Sequence, residues 1–180
     1  FFEARIEALD RLGDRADLVL KLDAYLELWS ARISTGRVDD VPHLCEQSEA
    51  LARQLDDGPR LARVQVRRAQ AVAMTGVIPG TLESAIEKAR EAFRRADPSD
   101  LRTRSYAQYL AGLACRDLGR IAEALREFDT GADLFAAEDH HSEGSGLVFP
   151  IYVSLCAWRS EACAAVGDFD RALASADAAF

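Results

Sequence analysis

The sequence predicts an all-α protein: an α-α superhelix of about four stacked helix pairs, preceded by one partial N-terminal helix. Three observations lead there. Only 5 prolines and 11 glycines occur in 180 residues, and most separate long stretches rich in Ala, Leu, Arg and Glu, which are strong helix formers. Four of those stretches close on a glycine, at 33–36, 73–76, 116–119 and 164–167. Small and apolar residues then recur at fixed offsets from each glycine, the mark of a repeated supersecondary unit.

The offsets identify the second helix of each pair. Val38, Val41, Cys45 and Ser48 follow Gly36; Ile121, Ala124, Phe128 and Gly131 follow Gly119; Phe169, Ala172, Ala176 and Ala179 follow Gly167. After Gly76 the pattern returns as Ala85, Ala89 and Ala92, displaced by four residues across an insert holding Pro79 and Gly80. Glycine at a helix C-terminus accepts the left-handed conformation that ends the helix. Small residues one turn apart let two helix backbones approach, while larger apolar residues fill the groove beside them. The glycines are 40, 43 and 48 residues apart, longer than the roughly 34 of the shortest helix-pair repeats. Extra helical turns and a longer last connection account for the excess.

In order, residues 1–12 read as the second helix of a preceding, truncated unit. First helices are expected near 15–35, 59–75, 100–118 and 148–166, and second helices near 38–57, 81–96, 120–138 and 168–180. The units are therefore expected at about 1–12 (partial), 15–57, 59–96, 100–138 and 148–180, forming one domain that reads as a fragment of a longer chain. Thr81, Ser99 and Asp168 are the expected N-caps, with Glu83 in a first turn and Pro98 blocking continuation of the preceding helix. Ile121, Ala124, Leu125, Phe128, Ala132 and Phe135 form a single amphipathic stripe. The polar, glycine-containing stretch at 139–146 breaks the rhythm and is expected to be a surface loop.

Composition narrows the function. Apolar residues make up 49% of the chain, enough for a sizeable core, and net charge is -8. An acidic surface repels phosphate backbones and anionic lipid, so nucleic acid and membrane are poor partners. No stretch has the roughly 18 uninterrupted apolar residues of a membrane span. No signal peptide is evident. Cys45, Cys115, Cys156 and Cys163 form no C-x-x-C pair and read as small apolar packing in a reducing cytoplasm.

The third unit carries a family resemblance. Tyr109-Leu110-Ala111-Gly112-Leu113-Ala114-Cys115-Arg116-Asp117-Leu118-Gly119 resembles the first helix of a tetratricopeptide repeat, with Gly112 at the small crossing position. The run from Arg120 to Leu125 resembles the start of its second helix, and 165–173 has the same form. Units one and two depart from the pattern, with Trp29 and Ala69 where the crossing glycine would stand. The chain is also similar to the helical-repeat arm of large bacterial signalling ATPases and nucleotidyl cyclases. That likeness rests on 9–15, on 144–150 and on the Trp-containing helix that ends at 164–169. It implies a regulatory arm, with nucleotide chemistry elsewhere in a parent protein. The expected function is thus a non-catalytic protein–protein interaction or scaffold module. The alternative is a ligand sensor taking a peptide or small molecule in its groove.

The tetratricopeptide pattern implies that first helices line a concave groove. Laid on this sequence, it points Arg63, Arg67, Gln70, Tyr106, Tyr109, Leu113, Arg116, Trp158 and Glu161 inward. Arginine forks onto carboxylates, and aromatic side chains supply contact area at low entropy cost. A protein or peptide, or other domains of the parent chain, is the expected partner. The uncapped ends, 1–12 and 168–180, are expected to support self-association. Arg60, Arg63 and Arg67 also share a helix face, without the aromatic interleaving of a nucleic-acid surface.

Catalytic and metal motifs are not expected. No G-x-x-x-x-G-K, G-x-S-x-G or H-E-x-x-H run is present. Asp139, His140, His141 and Glu143 crowd one loop without a ligand at helical spacing elsewhere. His43 has no orienting partner that can be named. The sequence gives no reason to expect an enzyme, a cofactor or a metal.

Overall fold

The computed structural model describes residues 2–13, 17–75, 80–136 and 150–179. Among these are nine α-helices and no strand. They are α1 (Phe2–Leu12), α2 (Leu18–Ser34), α3 (Val41–Gln54), α4 (Gly58–Gln70), α5 (Leu82–Arg95), α6 (Leu101–Asp117), α7 (Ile121–Ala136), α8 (Ile151–Ala165) and α9 (Phe169–Asp177). A π-type turn, Ala71–Thr75, extends α4.

Local chemistry fixes the ends. Asp17, Asp57, Thr81, Asp100 and Asp168 cap α2, α4, α5, α6 and α9, each side chain accepting from a backbone N–H of the first turn. The expected Ser99 cap is thereby corrected to Asp100. Ser99 instead donates its hydroxyl and its N–H to Asp97. The Asp100 carboxylate also takes the Thr103 hydroxyl, and a charged acceptor caps more strongly than a hydroxyl.

Three helix C-termini are built alike. Gly36, Gly119 and Gly167 all have positive φ. Each donates its N–H to the carbonyl three residues back, and the following residue donates to the carbonyl five back, at 2.8 to 3.2 Å. That is the double-bonded left-handed stop, repeated at the end of α2, α6 and α8. The fourth predicted glycine, Gly76, lies outside the described residues.

Each helix packs on the next along the chain, and α6 also packs on α4 and α8. The helix most deeply enclosed is α6, buried without a break from Ser105 to Cys115. Gly112 lets it meet α7, because a Cβ there would stand 2.6 Å from Cδ1 of Phe128. At the far side of α7, Gly131 does the same for α8, with Leu155 Cδ2 2.8 Å from the would-be Cβ. Most of the offset residues pack: Val41, Cys45, Ala85, Ala89, Ala92, Ala124 and Phe128 are buried, whereas Phe169 is exposed.

Arginine–carboxylate pairs tie like helices together. On the even-numbered helices, Asp23 of α2 accepts from Arg60 of α4, and Asp100 at the head of α6 accepts from Arg63 of α4. On the odd-numbered helices, Arg90 of α5 reaches Glu123 and Glu127 of α7, and Arg171 of α9 reaches Asp129 of α7. Four of these links, Arg120 with Glu83 included, join residues 37 apart. No described helix is long and apolar enough to cross a membrane.

Candidate binding cleft

A cleft of about 440 Å³ opens where α2, α4 and α6 come together, with Arg5 of α1 at its edge. Helical spacing aims its walls. Asp23 and Glu27 stand one turn apart on α2, and Arg63 and Arg67 stand one turn apart on α4. Arg102, Thr103 and Tyr106 come from the first turns of α6, with Asp100 just before them.

Most of the charge in the cleft is already matched. Arg60 grips both oxygens of Asp23 at 3.1 and 3.2 Å. Arg63 donates to Asp100 at 3.2 Å. Burial alone would raise the Asp100 pKa, but donation from the Thr103 backbone and hydroxyl, with the nearby Arg63 charge, holds it below the ordinary carboxylate value.

Arg67 is held by aromatic rings rather than by a carboxylate. Its guanidinium lies 5.1 Å from the Trp29 ring centre and 6.0 Å from that of Tyr106, so it sits between aromatics of neighbouring units. Among the described residues it forms no ion pair, and its hydrogen bond runs to the Gln70 side-chain oxygen at 3.5 Å. Burial lowers its pKa from the ordinary guanidinium value, with the Tyr106 hydroxyl and Glu27 acting the other way. Beside it, the Tyr106 hydroxyl is buried and has no hydrogen-bond partner, although Tyr106 itself is only 5% exposed.

The nine residues expected to form one groove fall into three sets. Arg63, Arg67 and Tyr106 meet in the cleft. Gln70, Tyr109 and Leu113 are buried; Tyr109 stacks on Tyr106 with ring centres 5.8 Å apart. Arg116, Trp158 and Glu161 form a separate cluster, in which Arg116 lies 4.0 Å over the Trp158 ring and 3.8 Å from Glu161. The α2 wall, with Asp23 and Glu27, was not among the expected residues. Its signal in the sequence is the pair of acids at helical spacing, opposite two arginines at the same spacing on the next first helix.

The other candidates separate cleanly. His43 is exposed on α3. Asp139, His140, His141 and Glu143 lie outside the described residues. Among the described residues no group of three or more His, Cys, Asp or Glu side chains is placed to hold a metal. All four cysteines are free and buried. Trp29 donates its indole N–H to Cys45 at 3.2 Å, pinning α2 on α3 behind the cleft.

Comparison with protein families, curated proteins and solved structures finds no match to this chain.

Proposed function

We propose that this chain is a non-catalytic interaction module of the tetratricopeptide type, acting as a regulatory arm of a larger bacterial signalling protein. The observation that carries the proposal is the cleft between α2, α4 and α6, where the Arg67 guanidinium lies over the Trp29 ring with no carboxylate in ion-pair contact among the described residues. Repeated glycine caps and arginine links between like helices support the superhelical reading, because a stack of equivalent pairs needs equivalent joints. A protein segment, or another domain of the same parent, would seat on the arginine- and aromatic-lined face.

The test is a peptide-display selection on the purified chain, followed by titration of the enriched peptides against Arg67→Glu. Loss of binding with unchanged helix content supports the proposal. Equal affinity in wild type and variant removes the cleft from the account.

A second reading, a sensor of a compact ligand, is favoured by one specific feature. The face does not run on as an open trough. Beyond Tyr106, the residues expected to continue it, Gln70, Tyr109 and Leu113, are at most 6% exposed. A cleft of about 440 Å³ that stops at these buried side chains is the size of a small-molecule site.

A further inference from the structure

We infer that the cleft takes a small carboxylic acid, its carboxylate on the Arg67 guanidinium and its short apolar stem against Leu26 and Val66. The inference rests on the second reading above, that the cleft receives a compact ligand.

Three observations select this chemistry. First, the Arg67 guanidinium is stacked on Trp29 and near Tyr106, yet no carboxylate lies within ion-pair distance among the described residues. Its neighbours on α4 are both paired, Arg60 with Asp23 and Arg63 with Asp100. A desolvated cation with no carboxylate in contact is costly, and a planar fork is matched best by a planar carboxylate. Second, the Tyr106 hydroxyl is a buried donor without an acceptor in the same wall. An acceptor oxygen at Arg67 supplies the contact that the guanidinium lacks, and it reaches the Tyr106 hydroxyl, which has no exposed surface in the unliganded fold, through a shift of the ring.

Third, charge and shape exclude the neighbouring ligand classes. Asp23, Glu27 and Asp100 also line the cleft, so a ligand of low negative charge suits it better than a highly charged one. A doubly charged phosphate would be repelled by those carboxylates more strongly than a singly charged carboxylate. An extended peptide cannot continue along α6 past the buried Tyr109 and Leu113. A carboxylate on a short apolar stem meets each condition.

The test uses Trp29 as the reporter, because its ring lies against Arg67. Trp158→Phe leaves Trp29 as the one remaining tryptophan of the chain. Benzoate, phenylacetate and hexanoate are titrated into this protein beside benzamide, inorganic phosphate and an acidic hexapeptide. Saturable quenching or enhancement by the carboxylates is expected, with benzamide at least tenfold weaker than benzoate. Arg67→Gln should weaken carboxylate binding at least tenfold, Arg67→Lys by less, and Tyr106→Phe several-fold, all at unchanged helical circular dichroism. No response to any carboxylate, or equal affinity in Arg67→Gln, overturns the inference. Phosphate or hexapeptide binding more tightly than the carboxylates overturns the ligand class while leaving the cleft as a binding site. Silence of Trp29 towards all the probes removes the compact-ligand reading as well.

Discussion

Replacing Gly112 by alanine tests the close crossing of α6 and α7. The added methyl would stand 2.6 Å from Cδ1 and 2.8 Å from Cζ of Phe128, and nearer still to Cε1. Carbon atoms in contact prefer about 3.5–4.0 Å, so the ring or the helix must move by roughly 1 Å. Phe128 has no free space to enter, being fully buried among α6 and its neighbours. Overpacking of this kind costs about 1–3 kcal/mol. Alanine returns about 0.5–1 kcal/mol through its higher helix propensity, leaving a net loss of about 1 kcal/mol at the middle of those ranges. With a urea slope of about 2 kcal/mol/M, the midpoint should fall by roughly 0.5 M. Circular dichroism at 222 nm against urea reads this directly. Adding Phe128→Leu should recover part of the loss, with a coupling of about 1 kcal/mol in the double-mutant cycle. An unchanged or higher midpoint in Gly112→Ala, or strict additivity in the double variant, would refute the crossing.

Other consequences can be checked separately. Asp100 has its pKa lowered in the folded chain, so the folded state holds that proton less tightly than the unfolded state. Its stabilisation is full above the ordinary carboxylate value of about 4 and is lost as pH falls through the lower folded value. The stability gap between wild type and Asp100→Asn should therefore be widest near neutrality and close towards pH 2; a gap independent of pH would contradict this. Burial raises the Cys115 pKa to about 11, and all four thiols are buried. A disulfide reagent at pH 8 should label none of them until denaturant is added, and rapid labelling of the folded chain would contradict the packing. Phe169 and Leu173 are each 66% exposed, whereas their counterparts Ile121 and Leu125 pack into the core. If that face supports self-association, Phe169→Asp with Leu173→Asp should lower the sedimentation-average mass at high concentration. A wild-type chain that sediments as a monomer at every concentration would count against it.

The helices were legible because their signals are local. Glycine stops, aspartate caps and small residues at helical spacing act within one or two turns, and the nine helices lie where that pattern puts them. The groove was harder to read, because burial depends on how many neighbours surround a helix. α6 is packed by α4, α5, α7 and α8, so no side of its middle faces water and Tyr109 and Leu113 go inward. A sign of this was available: from Tyr106 to Cys115 the chain carries no charged residue. The Ser99 cap failed for a comparable reason, since the adjacent Asp100 offers a stronger acceptor and also binds Arg63 from the previous unit. The acids of α2 went unread because a pairing across 37 residues is a matter of repeat register rather than local pattern.

The claim on which the functional account depends is that binding occurs on the shared face of the even-numbered helices. Amide chemical-shift mapping of the isotope-labelled chain with benzoate, or with a selected peptide, tests it most directly. The account predicts that the shifts gather at 23–29 of α2, 63–70 of α4 and 100–106 of α6, and that they vanish in Arg67→Gln. Shifts gathered instead on α3, α5 and α7, or persisting unchanged in that variant, would contradict it.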